Sequence, residues 1–419
     1  MQASYKIKRE TCADVVVVGG GTAGVFAAIA AARAGAKTIL IEKNSILGGT
    51  ITVANVNFPG LFFAWGRQII NGPCWESIER TIALGGAKMP KITFKPEKHW
   101  YEQIRLNRFV YTTVLFQMCE EAGVEVVCSA MVSDVMERDN GIDLLITEKS
   151  GLLLITTQIA IDATGDANLC QIAGYSVVKS ETQQPATLQT HLSGYDMDAV
   201  SVDEIKERLP AAGLPEYVRA SDLLAYLRDQ RIDVHIPCVD ADTSQGKTAL
   251  GKRALLLVMQ IYQFLRSIKG LSHIEIDFMA EEVGVRETNR IVGEHMITAE
   301  EYIHGMLYPD SVCYAFYPID LHVMHGIEKV YHQENVVSKV PYSALIPRGA
   351  RRILCAGRCI SSDTYANSAI RVEATCMATG QAAGCAAAVA ALQNVWVNEV
   401  EYANICRMLE KIHAIVPHS

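Results

Sequence analysis

The chain of 419 residues lacks several things that would have placed it quickly. It has no Cys-x-x-Cys pair. Its twelve cysteines are spread singly, which argues against an iron–sulfur cluster or a structural zinc and leaves no metal ligands to propose. Basic residues do not dominate: 46 acidic side chains against 38 basic ones give a net charge of -8. That balance offers no footprint for nucleic acid or an anionic membrane. The opening stretch, MQASYKIKRETCAD, is charged and lacks the apolar core of a signal peptide. The cysteines are therefore expected to be reduced, mostly buried thiols in a cytoplasmic protein. No apolar run is expected to span a membrane: the alanine-rich stretch Cys376 to Leu392 falls short of the ~20 residues required and reads as a buried helix. Internal repeats and low-complexity linkers are missing too. The length exceeds the ~250–300 residues at which one core stops growing, so two domains are expected.

What is present begins at Asp14. Four valines, Val15 to Val18, form the continuous apolar run of a parallel strand buried on both faces. Gly19-Gly20-Gly21-Thr22-Ala23-Gly24 follows, then an alanine-rich segment, then a second apolar strand ending at Glu42. Each glycine has a mechanical role. Gly19 permits the tight turn, Gly21 lets backbone approach a pyrophosphate, and Gly24 lets the helix pack on the strand. The helix N-terminus offers free N–H groups to phosphate, and Glu42 stands where an acid accepts hydrogen bonds from a ribose. This is a dinucleotide site. The motif alone does not choose between flavin and nicotinamide.

Farther on, Lys43 leads to the pair Gly48-Gly49 and Thr50, where backbone can come close to a cofactor. Trp75 to Leu84 and Tyr101 to Ala122 read as helices. Val124 to Cys128 and Ala130 to Val135 read as strands, followed by a hairpin through Asp139-Asn140-Gly141 with Leu144 to Thr147 and Leu152 to Ile155 as its arms. Ile159 to Ala167 is a buried strand running into small residues, the edge over which a ligand sits at a sheet's switch point. Residues 176–340 are more charged and aromatic and read as an inserted domain of mixed α+β character. The first texture returns at Arg352 to Arg358, a short strand. A helix then runs from about Ala369 or Arg371 to Ala391. The expected division is 1–175, 176–340 and 341–419, with the first and last segments sharing one mainly parallel α/β sheet.

Four separated motifs stand in one order: GGGTAG with Glu42, Gly48-Gly49, Ala163-Thr164-Gly165-Asp166, and Ile353 to Arg358 with its helix. Together they resemble FAD-dependent oxidoreductases with the glutathione-reductase type of Rossmann fold. More narrowly, VGVRET, YPIDLH, AGRCIS and RVEATCMATGQAAG resemble flavoproteins related to the heterodisulfide-reductase flavoprotein and fumarate-reductase-like proteins. The resemblance implies that Gly19, Gly21, Thr22, Ala23 and Gly24 hold the FAD pyrophosphate and Glu42 the adenosine ribose. It has Lys43, Gly48, Gly49 and Thr50 line the cofactor, and Val132 meet the adenine through its backbone. Ala163, Thr164 and Gly165 would close over the adenosine half, and Gly357 and Arg358 would approach the ribityl chain. The helix beginning near Arg371 would aim its positive end at the flavin's pyrimidine edge. Two departures matter. Arg358 stands where many such proteins carry an acid, and no cysteine follows Gly48-Gly49 at the disulfide-reductase spacing.

A flavin oxidoreductase needs a group to move a proton and often an arginine to fix a carboxylate. His322, beside Asp320, is either that proton acceptor or a core histidine held by a hydrogen bond. Arg286 with Glu287 is either a substrate clamp or a structural ion pair. Tyr317, His325 and Arg371 are weaker candidates. His191 is placed near the same cleft, and the aromatics Phe58, Phe62, Phe63 and Trp65 either roof the flavin or simply pack. With a single GxGxxG there is no second nucleotide domain, so electrons leave to oxygen, a quinone or a partner protein. The expected activity is hydride transfer between FAD and a small organic metabolite, with dehydrogenation of C–H/O–H or C–H/N–H preferred over C=C reduction. The alternative is a flavin-bearing electron-transfer or scaffold subunit of a larger complex. A flavoprotein acting on RNA or building a thiazole is a third, and the acidic charge weighs against RNA. A homo-oligomer is compatible with all of these.

Overall fold

The computed structural model describes residues 6–238, 240–324 and 326–417. The dinucleotide motif is its centre. Strand β1 (Ile7–Val18) runs through the glycine turn into helix α1 (Gly24–Arg33) and then β2 (Thr38–Glu42). Helix α2 (Arg108–Ala122) leads to β3 (Glu125–Cys128). A meander follows: β4 (Met131–Arg138), β5 (Gly141–Glu148) and β6 (Gly151–Asp162). The last strand, β7 (Ile353–Cys355), comes from the far end of the chain. The sheet order is β3-β2-β1-β6-β5-β4, with β7 also on β6. β1, β2, β3, β6 and β7 pair in parallel, while β4, β5 and β6 pair antiparallel. β6 is long enough to serve both arrangements, offering Gly151 to Thr157 to β5 and Ala160 to Asp162 to β7.

Helix α3 (Glu373–Gln393) explains the alanines and glycines near the C-terminus. It lies on α1 so closely that a Cβ on Gly380 would sit 2.1 Å from the Ala23 carbonyl oxygen, and one on Gly384 2.1 Å from that of Ala27. Only glycine fits at such a crossing. At 21 residues α3 passes the length and composition of a membrane span, beyond the sequence expectation. Yet 89 % of its most apolar window is buried inside the protein, which is how a core helix looks.

Three expectations need correction. The helix expected from Tyr101 starts at Arg108, because the Asn107 side chain accepts from the Phe109 and Val110 N–H groups and caps it there. The turn at Asp139-Asn140 joins β4 to β5, and Leu152 to Ile155 belongs to the third strand of the meander, not to that hairpin. The helix expected from about Ala369 or Arg371 begins at Glu373, and a separate short helix, Thr364–Ile370, precedes it where a loop was expected. Asp363 caps the short helix by accepting from Ala366 N–H at 2.7 Å.

Two hydrophobic clusters exist. The larger holds the sheet, α1, α2 and α3 and also takes in Ile291, Ile297, Tyr302 and Val340. The smaller runs from Ala186 to Val283 and is built on the long helix Ser244–Arg266.

Candidate functional site

One cavity of about 540 Å³ runs from the glycine turn to the hairpin Ile319–Val323/Gly326–Val330. That is the size of a cofactor or ligand site. Its first end is made of backbone. Gly19 adopts φ +105°, and a Cβ there would meet the Ala163 carbonyl oxygen at 2.4 Å. Gly24 is held tighter still, a Cβ falling 1.7 Å from the Gly19 oxygen. Gly21 differs: a Cβ there would meet only the Gly49 Cα, at 3.7 Å, because Gly21 faces open cavity. A backbone cradle with empty space above it fits a pyrophosphate.

Gly19, Gly21, Thr22, Ala23, Glu42, Lys43, Gly49, Thr50, Val132, Ala163, Thr164, Gly165, Gly357, Arg358 and Arg371 all line this cavity. Gly24 and Gly48 lie behind it and shape the backbone; Gly48 has φ +107° and its N–H donates to the Gly20 carbonyl. Glu42 is buried, accepting from Gly20 N–H at 2.5 Å and Asn44 N–H at 2.7 Å. Each carboxylate oxygen keeps a further lone pair for a ribose hydroxyl. Beneath Ala163 to Gly165 the fully buried Asp162 accepts from the Thr164 N–H, the Thr164 hydroxyl and the Cys170 N–H. It fixes the loop that closes over the cavity.

Arg358 is committed elsewhere. Its guanidinium pairs with Asp166 at 2.5 Å and donates to the Thr288 hydroxyl at 2.9 Å. A carboxylate from another loop, that of Asp166, thus stands beside Arg358. Against the burial that would raise it, Arg358 holds the Asp166 carboxyl below its usual range.

The second end is made of side chains from distant segments. Asp320 and His322 project from the same face of strand Ile319–Val323, two residues apart. His322 Nε2 lies 3.0 Å from Asp320 Oδ2, and its Nδ1 lies 3.1 Å from His235 Nε2. Burial pushes the His322 ring down to about 3; the Asp320 bond opposes this, while Arg286 and Arg371 add to it. Burial likewise brings His235 to about 4. Asp320 is held below its usual range by the His322 hydrogen bond, Arg371 and Lys329, against the opposing effect of burial. With Asp320 ionised and the ring neutral, Nε2 donates to Asp320 and Nδ1 presents its lone pair to His235.

Tyr317 also lines the cavity; Gln103 Nε2 donates to its hydroxyl at 3.1 Å, and His99 Nε2 lies 3.3 Å away. Arg286 does not pair with Glu287. Buried Glu287 takes Arg290 at 2.6 Å and the Ser180 hydroxyl, while Arg286 donates to the Thr187 hydroxyl at 3.1 Å and the Pro185 carbonyl.

His191 is exposed, sits 2.6 Å from Asp277, and is absent from the cavity wall. His325 lies outside the described residues. Of the aromatics, Phe58 lines the cavity, with the guanidinium groups of Arg105 and Arg231 over its ring at 4.9 and 5.5 Å. Phe62 and Phe63 pack on Trp75, and Trp65 packs on Phe94 and Phe316. The cysteines are less scattered than their spacing suggests: Cys355 and Cys359 bring their sulfurs to 3.1 Å in the core. Sequence reading missed Gln184, His235 and Lys329. For Asp320 with His322 the two-residue period of a strand is a usable signal; nothing local marks His235.

A profile of the FAD dependent oxidoreductase family matches residues 14–409, and the chain belongs to that family. It is an oxidoreductase and its cofactor is FAD. Thiamine thiazole synthase of Methanococcus vannielii is 24 % identical over 161 residues, 36 % of this chain and 56 % of that one. Digeranylgeranylglycerophospholipid reductase 1 of Methanosphaera stadtmanae is 30 % identical over 166 residues, 37 % and 38 % of the two chains. A fumarate reductase (cytochrome) of Shewanella frigidimarina is 45 % identical over 67 residues, 16 % and 11 %. These matches therefore span little more than half of the relatives' own lengths at most. A geranylgeranyl bacteriochlorophyll reductase-like structure from Thermoplasma acidophilum aligns over 96 % of this chain and 83 % of its own, with 15 % identity and a TM-score of 0.46.

Proposed function

We propose that the protein dehydrogenates a small organic metabolite by hydride transfer, with His322 receiving the proton. The carrying observation is the Asp320–His322 pair lining the same cavity as the Gly21 cradle. Bound FAD would supply a two-electron acceptor for the electron pair of a substrate C–H bond, and as a C=O or C=N bond forms a proton would leave the adjoining O–H or N–H. The proton goes to the lone pair on His322 Nδ1, displacing the hydrogen bond to His235. Asp320, already on Nε2, holds the resulting imidazolium in place. Gly19, Gly21, Glu42 and the Ala163 to Gly165 loop would hold the cofactor, and Tyr317 with Gln103 would orient the substrate. Residues 176–340 form the substrate-side domain in this reading, and 1–175 with 341–419 the FAD-binding one.

An anaerobic screen of the purified yellow protein against metabolite pools tests this. A small molecule that bleaches the flavin, with the effect lost in His322→Ala, is the expected result. Bleaching only by a partner protein would favour the electron-transfer subunit instead.

A further inference from the structure

Among the described residues five arginines lie on or near this part of the cavity, and the fold treats them unequally; Arg231 has Asp233 at 3.2 Å. Arg290 is buried and saturated, with Glu287 at 2.6 Å and the Ser362 carbonyl at 2.9 Å. Arg358 has Asp166. Arg286 and Arg371 have no carboxylate within ion-pair distance among the described residues, although both line the cavity. Arg286 NH1 finds only neutral oxygens, those of Pro185 and Thr187. Arg371 NH2 makes long contacts, 3.3 Å to Gln184 Oε1 and 3.4 Å to the Asp320 carbonyl. Its Nε is buried with no partner at all. An uncompensated guanidinium out of bulk water costs several kcal/mol, and two close enough to repel cost more.

We infer that Arg286 and Arg371 bind the carboxylate of the substrate, which is a hydroxy or amino carboxylate. This rests on the reading of the site given above. The nearby anions do not substitute for it. Asp320 pairs with His322 and, at 3.7 Å with no hydrogen bond to its Oδ1, with Lys329; Glu287 pairs with Arg290 and Asp233 with Arg231. Burial drives the carboxyl of Glu373, beside Arg371, well above the usual carboxylate range, with Arg371 opposing the shift. Arg286, Arg371 and Lys329 line this end of the cavity against Asp320 and Glu373. Desolvation first, then the neighbouring Arg371, brings Arg286 down to about 9. A carboxylate offers two oxygens to such donors in charge-assisted hydrogen bonds. Gln184 ties the clamp to the proton acceptor, since its Oε1 accepts from both Arg371 and the His322 N–H. The same two arginines depress His322, so an anion that neutralises them makes His322 a better base when substrate is present.

The test is a titration of FAD-loaded protein, read as a change in flavin absorbance and needing no turnover. The probes are acetate, malonate and succinate at constant ionic strength, against acetamide, malonamide and succinamide. At least one acid should give a saturable change that its neutral amide matches only at about 100-fold higher concentration. Arg286→Gln should weaken that acid about 10–100-fold, the range of a charge-assisted contact, with Arg286→Lys retaining part of the affinity. Should Arg286→Gln fail to hold FAD, Arg371→Lys and the acid–amide ratio of the unaltered protein carry the decision. Equal binding of acids and amides, an absence of saturable binding, or acid binding unmoved by both arginine changes would overturn the clamp. Failure of the dehydrogenase reading shows separately, as a flavin that no metabolite bleaches.

Discussion

At one end of the cavity the wall is main chain from a single βαβ unit and its neighbouring loops; at the other it is side chains drawn from residues 99, 286, 320, 322 and 371, with Gln184 and His235 hydrogen-bonded to His322. The first end works by leaving things out. Gly19 and Gly24 are small because backbone comes within contact distance, and Gly21 leaves the room that a phosphate would take in the proposed site. The second end works by holding charge away from water, with three depressed histidines (His99, His235 and His322), an aspartate held below its usual range and two arginines that have no carboxylate at ion-pair distance among the described residues. Damage to the first should therefore appear as lost cofactor or lost fold, and damage to the second as lost rate with the cofactor in place.

The largest effects belong to the glycines, and they should separate from each other. Gly24→Ala puts a methyl 1.7 Å from the Gly19 oxygen. It should cost about 3 kcal/mol or more, the upper end of overpacking, and lower the melting temperature of apoprotein and holoprotein alike. Gly21→Val meets only the Gly49 Cα at 3.7 Å, so the apoprotein should melt nearly as before while FAD is lost entirely on purification. Normal flavin content in Gly21→Val would remove the phosphate cradle from this turn.

At the other end, His322→Ala should leave FAD content unchanged and slow single-turnover flavin reduction about 10²–10⁴-fold. It also leaves Asp320 short of a partner, a cost of about 1–3 kcal/mol. An unchanged reduction rate with a lowered melting temperature would make His322 a core residue.

Acid should expose the same contrast more mildly. The His322 ring lies at about 3 in the folded protein and 6.5 when unfolded, so the unfolded chain binds more protons between those values. Its share of stability is complete above pH ~6.5 and is lost as pH falls toward 3. Urea midpoints measured from pH 7.5 to 4.5 should drop less steeply in His322→Asn than in the unaltered protein. Parallel slopes would contradict the depressed ring.

The smallest effect is expected at His191, whose pairing with Asp277 is exposed. His191→Ala should change stability by less than ~1 kcal/mol and leave flavin reduction as it was. A slowed reduction would bring that surface into the site.

Local spacing was enough to determine the first end. A strand, a tight turn and a helix are contiguous, so the residues proposed to meet a pyrophosphate are set by steric rules acting within Asp14 to Glu42. The same locality makes the buried valines and the parallel sheet readable. Where a helix starts depended on one cap, Asn107, which apolar periodicity does not reveal. The break at Arg371-Val372 is likewise unmarked, with neither Gly nor Pro at it. Only the tertiary structure decided that Glu287 belongs to Arg290, that Arg358 belongs to Asp166, and that His235 stands behind His322. The reason is physical. A charge buried from water takes whichever partner the folded chain brings within about 3 Å, and sequence adjacency does not govern that distance.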